Sequence, residues 1–228
     1  MIICFDLGGV LLRICRSWPE ACRAAGLEVR NEPADRAAAD KIRELSDKHG
    51  TGEISLDEWA AALSEAMQSA YSPDELKRIH HAWLLEEHRG AFDLIEELHR
   101  FDIATACLSN TTETHWARLV HRDGSRPLEG PPEYPAIVRL KQHFASHLMR
   151  LAKPNAAIYK RFETLTGYQG NDVVFFDDLQ DNVVAARAIG WQAEWIDVTR
   201  DPVAQMREYL RAHGVLPQSA HRGANEER

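Results

Sequence analysis

The chain opens on an unbroken apolar run, Ile2-Ile3-Cys4-Phe5, which stops at one carboxylate, Asp6, and a Gly8-Gly9 pair. A run without polar alternation is the pattern of a strand covered on both faces. The pattern returns at residues 103–108 and 173–176, and more weakly at 144–148 and 193–196. Between these runs, apolar positions spaced by three and four predict helices over 92–100, 112–120, 153–167, 182–189 and 203–212. Gly167 and Gly190 stand where two of them would close. Residues 122–135 are rich in Gly and Pro and read as irregular. Strands alternating with helices of this length predict a parallel sheet flanked by helices.

Residues 13–88 carry a different rhythm. Helices are expected over 13–25 and 33–49, ending at Gly26 and Gly50. Ser55 with Glu58, and Ser72 with Glu75, have the spacing of capping boxes, and Pro73 suits a first helical position. The helix after Ser72 is expected to reach about residue 88, with the acidic Glu86-Glu87 on its face. No strand signal is visible here, so the segment reads as a small helical bundle, with Trp18, Trp59 and Trp83 as bulky apolar surface to bury. The expected architecture is α/β. A Rossmann-like parallel sheet comes from residues 1–13 and 92–216, an all-helical insertion from 14–91, and a flexible polar tail from 217–228.

Composition narrows the function classes. A chain of 228 residues can bury a sizeable core. Its net charge of -8 leaves no basic footprint for nucleic acid. The apolar runs are too short to cross a bilayer, and the first residues lack the marks of a signal peptide. Four cysteines without metal-type pairing fit reduced thiols, so a cytoplasmic location is expected. No heptad seam appears, and monomer or homodimer are both compatible with the pattern.

In doubly wound sheets, ligands bind beyond the C-terminal ends of the strands. Three expected strands end in chemistry there: Asp6, then Ser109-Asn110-Thr111, then Asp177-Asp178, while Lys153 opens the helix before the third. Together they supply a potential nucleophile, hydrogen-bond donors, a cation, and carboxylates enough for a hard metal ion.

These residues carry a resemblance. Asp6-Leu7-Gly8-Gly9-Val10-Leu11, Leu108-Ser109-Asn110, Lys153-Pro154 and Phe175-Phe176-Asp177-Asp178 resemble, in order, the four motifs of the haloacid dehalogenase superfamily. The likeness extends to about residue 212, and the helical stretch stands where that superfamily inserts a cap over its active site. Within it the chain most resembles a bacterial subgroup that includes α-D-glucose-1-phosphate phosphatase, through CLSNT, EYPAI (133–137), AKPNAAIY (152–159) and the segment 175–190.

The resemblance implies a Mg²⁺-dependent phosphatase of a small phosphorylated metabolite such as a sugar phosphate. Asp6 would be the nucleophile, forming an aspartyl-phosphate. Asp6, the Gly8 carbonyl and Asp178 would hold Mg²⁺, with Asp177 as ligand or neighbour. Ser109 and Lys153 would bind the phosphoryl group, and Lys153 would lower the Asp6 pKa so that it stays ionised. Asn110 reads as a helix cap, although the family also places it near phosphate. Asp181 and Asn182 read as helix-start residues or as groups orienting the metal acids, with the second preferred.

One position departs from the family pattern. Most of these phosphatases carry an acid two residues after the nucleophile, where this chain has Gly8. Loss of a positioned general acid costs on the order of 10²–10⁴-fold, less when the leaving group needs little protonation. Two other readings stand beside the phosphatase: a metal-independent dehalogenase, disfavoured by two adjacent acids without a cation, and a catalytically weak ligand-binding or scaffold protein. Adjacent His80 and His81 cannot share a helix face, and His143 with His147 straddles an expected strand, so neither pair reads as a metal site. Arg13 and Arg16 read equally as surface residues or as reaching an anionic substrate.

Overall fold

The computed structural model describes residues 1–30, 36–124 and 126–218. The expected tail lies, from residue 219 onward, outside the described residues, as do the first three residues of the helix expected over 33–49. In chain order, β1 (Ile2–Phe5) and β2 (Leu12–Ile14) precede α1 (Trp18–Ala24), α2 (Arg36–Gly50), α3 (Leu56–Ala66) and α4 (Pro73–His81). Next come β3 (Leu84–Glu87), α5 (Ala91–Arg100), β4 (Ala104–Ser109) and α6 (Glu113–Leu119). A small hairpin of β5 (Arg122–Asp123) and β6 (Arg126–Pro127) and the short α7 (Pro135–Arg139) follow. The chain continues through β7 (Gln142–Ala145), α8 (Ser146–Met149), α9 (Ala156–Thr166) and β8 (Val173–Asp177). It then adds α10 (Gln180–Ala188), β9 (Gln192–Trp195) and α11 (Pro202–Ala212).

The main sheet runs β7-β4-β1-β8-β9, every neighbouring pair parallel. β1 is central, and its alternate side chains divide between two cores. Ile3 and Phe5, with Val174 and Phe176 of β8, pack on Leu94, Ile95 and Leu98 of α5 and Met206 and Leu210 of α11. Ile2 and Cys4, with Val173 and Phe175, pack on Ile158, Tyr159 and Phe162 of α9 and Val183 and Ala186 of α10. Burial on both faces is why these strands read as continuous apolar runs. At about 1.5–3 kcal/mol per buried large side chain, the two layers hold the strand ends rigid.

A third apolar cluster belongs to α1–α4 and unites Ala21, Cys22, Leu45, Trp59, Leu63, Leu76 and Ile79. Both capping boxes are present, at Ser55/Glu58 and Ser72/Glu75. Two expectations fail here. The helix expected over 13–25 begins only at Trp18, and the one expected to reach 88 ends at His81. The intervening residues form an antiparallel ribbon, with Leu12 opposite Glu87 and Ile14 opposite Leu84. Each strand is too short to show a period of two, and its partner lies some seventy residues away, so only tertiary pairing reveals it. Glu87 therefore sits on a strand, not a helix face, where its carboxylate accepts from the amides of Ala136 (3.2 Å) and Ile137 (3.1 Å) at the start of α7.

The weak strand expected over 144–148 is shifted to Gln142–Ala145. Ser146 turns the chain by accepting from the Thr111 amide (2.9 Å), with its hydroxyl 2.6 Å from the Gly50 carbonyl oxygen. His143 and His147 donate to different backbone carbonyls, those of Ile137 and Thr111.

Candidate active site

Parallel strands bring their C-terminal residues to one edge, and there β1, β4 and β8 place Asp6, Ser109 and Asp177 together. The Asp6 amide donates to the Phe176 carbonyl at 2.8 Å, extending the β1–β8 ladder by one residue and setting the carboxylate at the sheet's rim. Lys153, its side chain fully buried, reaches this edge from the segment before α9, with Nζ 3.0 Å from Asp6 Oδ1 and 2.7 Å from Asp177 Oδ2. Although burial alone would lower its pKa, Asp177 and Asp6 hold the ammonium charged and raise it. The opposite balance governs Asp6. Burial pushes the carboxyl up to about 6, outweighing Lys153, which lowers the pKa as expected.

The two acids differ in what surrounds them. Asp177 Oδ1 accepts from the Leu179 amide (2.8 Å) and Asn182 Nδ2 (3.0 Å), and Oδ2 accepts from Asn182 Nδ2 (3.0 Å) and Lys153. Asp6 Oδ1 is buried too, but it faces the Lys153 ammonium at 3.0 Å without the amide donors that hold Asp177. One oxygen from each of Asp6, Asp177 and Asp178 lies within 4.8 Å of the others. Three clustered carboxylates facing one lysine and one arginine keep excess negative charge on an all-oxygen donor set, which fits a hard dication such as Mg²⁺.

Asn110 does not cap α6, correcting that reading. Thr112 is the cap, accepting from the His115 amide. Asn110 instead grips the Lys153 backbone from both sides, donating to its carbonyl (2.8 Å) and accepting from its amide (2.9 Å). Asn182 is brought to the site, whereas Asp181 is exposed on the first turn of α10. Arg16, which sequence left between surface and site, forms an ion pair with Asp178 Oδ2 at 2.6 Å, while Arg13 pairs with exposed Glu86. Burial raises the Asp178 pKa, and Arg16 opposes it. Gly9, at φ +82°, lets this pair approach: a Cβ there would overlap Arg16 Nη2 and lie 2.7 Å from Asp178 Oδ2.

A cavity of about 620 Å³ lies between this edge and α2–α4, lined by Asp6, Gly8, Arg16, Ser109, Asn110, Lys153 and Asp178 on the sheet side. At its seam stand three histidines from three helices, His49, His80 and His115, missed because residues far apart in sequence carry no shared pattern. His115 donates to the His80 carbonyl at 2.7 Å and stacks on its ring at 3.9 Å, while His49 Nε2 and His80 Nε2 are 3.3 Å apart. Because His49 Nδ1 donates to the Ile54 carbonyl, its Nε2 accepts, which makes His80 the Nε2–H tautomer. Burial lowers the pKa of all three, that of His115 to about 4, so the cluster is neutral.

Residues 1–190 match the family model of the haloacid dehalogenase-like hydrolases. Solved structures share the fold. A predicted hydrolase of that type from Porphyromonas gingivalis superposes with a TM-score of 0.70 at 24% identity, covering 92% of this chain and 97% of the other. A family enzyme from Bacteroides thetaiotaomicron, in complex with magnesium and inorganic phosphate, gives 0.65 at 20% identity, covering 88% and 96%. The L-2-haloacid dehalogenase of Xanthobacter autotrophicus, with chloropropionic acid covalently bound, gives 0.56 at 19% identity, covering 95% and 84%.

Proposed function

The chain belongs to the haloacid dehalogenase-like hydrolases, and from that premise we propose that it is a Mg²⁺-dependent phosphatase of small phosphorylated metabolites. The observation that carries this reading is the buried Asp6 carboxylate, facing the Lys153 ammonium at 3.0 Å and gathered with Asp177 and Asp178 at one sheet edge. A dehalogenase leaves no use for an acid triad that gathers negative charge without a cation. The solved relative with magnesium and phosphate supports the choice at the level of the family.

Asp6, the Gly8 carbonyl and Asp178 would hold Mg²⁺, with Asp177 beside them. When bound, the ion neutralises charge on the phosphoryl oxygens and so opens phosphorus to an anionic nucleophile. An Asp6 carboxylate oxygen attacks phosphorus, and the bond from phosphorus to the ester oxygen breaks with its electron pair on the leaving group. Lys153 and Ser109 hold the phosphoryl oxygens during transfer. Water then hydrolyses the aspartyl-phosphate, releasing inorganic phosphate and restoring the carboxylate. Asn110 and Asp177 fix Lys153, and Asn182 fixes Asp177. Residues 14–91 act as the cap that closes the cavity and selects the substrate. A sugar 1-phosphate, as in the resembled subgroup, has a leaving group that makes modest demands on a general acid.

Hydrolysis of p-nitrophenyl phosphate with and without Mg²⁺ tests this reading. Turnover that appears with Mg²⁺, vanishes with EDTA and vanishes in Asp6→Asn is the expected result. Metal-independent halide release from a 2-haloacid would favour the dehalogenase. Ligand binding without turnover of either compound would favour a scaffold.

A further inference from the structure

Two features outside the phosphoryl-binding edge bear on what leaves the phosphate. The first is the far wall of the cavity. Ile14, Trp18, Trp59, Ile79, Trp83 and Leu84 line it, and Ile14, Trp18, Trp83 and Leu84 retain accessible surface. Ser46 and Asp47 of α2, which also line the cavity, are solvent-exposed. The histidines at the seam are neutral; they bond to one another, to backbone and to the Thr112 hydroxyl, and His80 Nδ1 is buried without a partner. The cations among the described lining residues are Lys153 and Arg16, each already facing a carboxylate. Sugar hydroxyls would lose water here and meet indole and aliphatic carbon, an unfavourable exchange. A planar apolar body would gain from the same wall.

The second feature is what occupies the place of the absent acid. A Cβ built on Gly8 would lie 3.0 Å from Ile14 Cδ1 and 3.3 Å from Ile14 Cγ2. The β2 strand of the ribbon thus fills with an aliphatic side chain the space that a proton donor at residue 8 would use. An alkoxide, with a conjugate acid near the pKa of water at about 15.7, leaves poorly against such a surface. A phenolate, with a conjugate acid of pKa about 10, leaves without a proton donor.

We propose that the substrate is an aryl phosphate monoester: a phosphorylated phenolic hydroxyl on an apolar, planar body with no second anionic group. This rests on the phosphatase reading above and replaces a sugar with an aromatic alcohol. Asp6 forms its bond to phosphorus as the bond from phosphorus to the aryl oxygen breaks. The phenolate departs with that electron pair along the tryptophan wall and takes its proton from solvent water. A second water then cleaves the aspartyl-phosphate.

Binding and turnover are tested separately. In the Mg²⁺-loaded protein, calorimetry with two inert probes, 1-naphthylphosphonate and methylphosphonate, reads the wall without chemistry. The naphthyl probe is expected to bind at least about tenfold tighter, and Trp83→Ala to remove most of that margin while Trp83→Phe keeps it and methylphosphonate affinity stays constant. Equal affinities for the two probes overturn the proposal, and this comparison holds even in a protein that turns over nothing. In turnover, kcat/KM for 1-naphthyl phosphate is expected to exceed that for glucose 1-phosphate and glycerol phosphate by at least about 10²-fold. The double variant Gly8→Asp/Ile14→Ala is expected to narrow that gap by rescuing glycerol phosphate. A preference for the sugar phosphate would overturn the aryl assignment and leave the phosphatase standing. Absence of Mg²⁺-dependent turnover with every ester would instead defeat the phosphatase itself.

Discussion

Asp177 and Asp6 lie on neighbouring strands of one sheet edge, and their surroundings assign them different work. Asp177 is fully buried with both oxygens saturated by Leu179, Asn182 and Lys153, so it has little left to offer a ligand and instead fixes the lysine. Asp6 has Oδ1 against the Lys153 ammonium at 3.0 Å and a pKa raised by burial, so a further cation beside it would favour its ionised form. Asn182 transmits order from α10 to Asp177 through two 3.0 Å contacts. Asn182→Ala is therefore expected to lower Mg²⁺-dependent kcat by about 10–100-fold. Steady-state kinetics across a Mg²⁺ titration would show it, and Asn182→Gln should not restore the rate, because its longer arm cannot reproduce both contacts. An unchanged kcat would remove Asn182 from the positioning chain.

At the scale of elements, the β2–β3 ribbon and the histidine seam join α1–α4 to the sheet. The ribbon holds Ile14 over Gly8 and the chain just after β2 brings Arg16 to Asp178, so both side chains line the cavity. The seam stacks His80 of α4 on His115 of α6 and sets His49 of α2 against them. His115 is buried and its folded pKa, about 4, lies below the unfolded value near 6.5. The unfolded chain therefore binds the proton first, and the stability owed to neutral His115 is lost as pH falls from about 6.5 toward 4. Between pH 6.5 and 5 this amounts to about 2 kcal/mol. Asp6, raised to about 6, acts in the opposite sense, so the comparison must be made against a variant. Urea unfolding at pH 7.5 and 5 should show the wild-type protein losing about 2 kcal/mol more than His115→Gln. Equal losses would mean that the seam opens without cost.

At the scale of the molecule, two apolar layers clamp the parallel sheet and a third cluster gives α1–α4 their own core. No helix among the described residues is long and apolar enough to cross a membrane. The carboxylates at the sheet edge repel one another in the metal-free protein, and a dication relieves this only in the folded chain. At a Mg²⁺ concentration 100-fold above Kd, this linkage adds about 2.7 kcal/mol, or roughly 5–10 °C in Tm for a chain of this size. Thermal unfolding with and without Mg²⁺ should show that rise in the wild-type protein and its loss in Asp178→Asn. A wild-type Tm indifferent to Mg²⁺ would count against the carboxylates as a metal site.

The sequence by itself determined the sheet and its edge. Ile2-Ile3-Cys4-Phe5 and Val173-Val174-Phe175-Phe176 must be buried on both faces, and each delivers an acid to the same rim because parallel strands end together. Capping boxes and closing glycines mark helices through local hydrogen bonds, which is why α3, α4 and α9 were legible. Tertiary structure decided what depends on partners distant in the chain. Leu12–Ile14 became a strand only against Leu84–Glu87, Asn110 became the clamp of Lys153 rather than a cap, and Arg16 became the partner of Asp178. The pKa of Asp6 belongs to the same class, because desolvation is set by everything that surrounds a group and not by its neighbours in sequence. Gly8 spans both levels. Its lack of an acid is written in the chain, but only the fold shows that Ile14 has taken the acid's place.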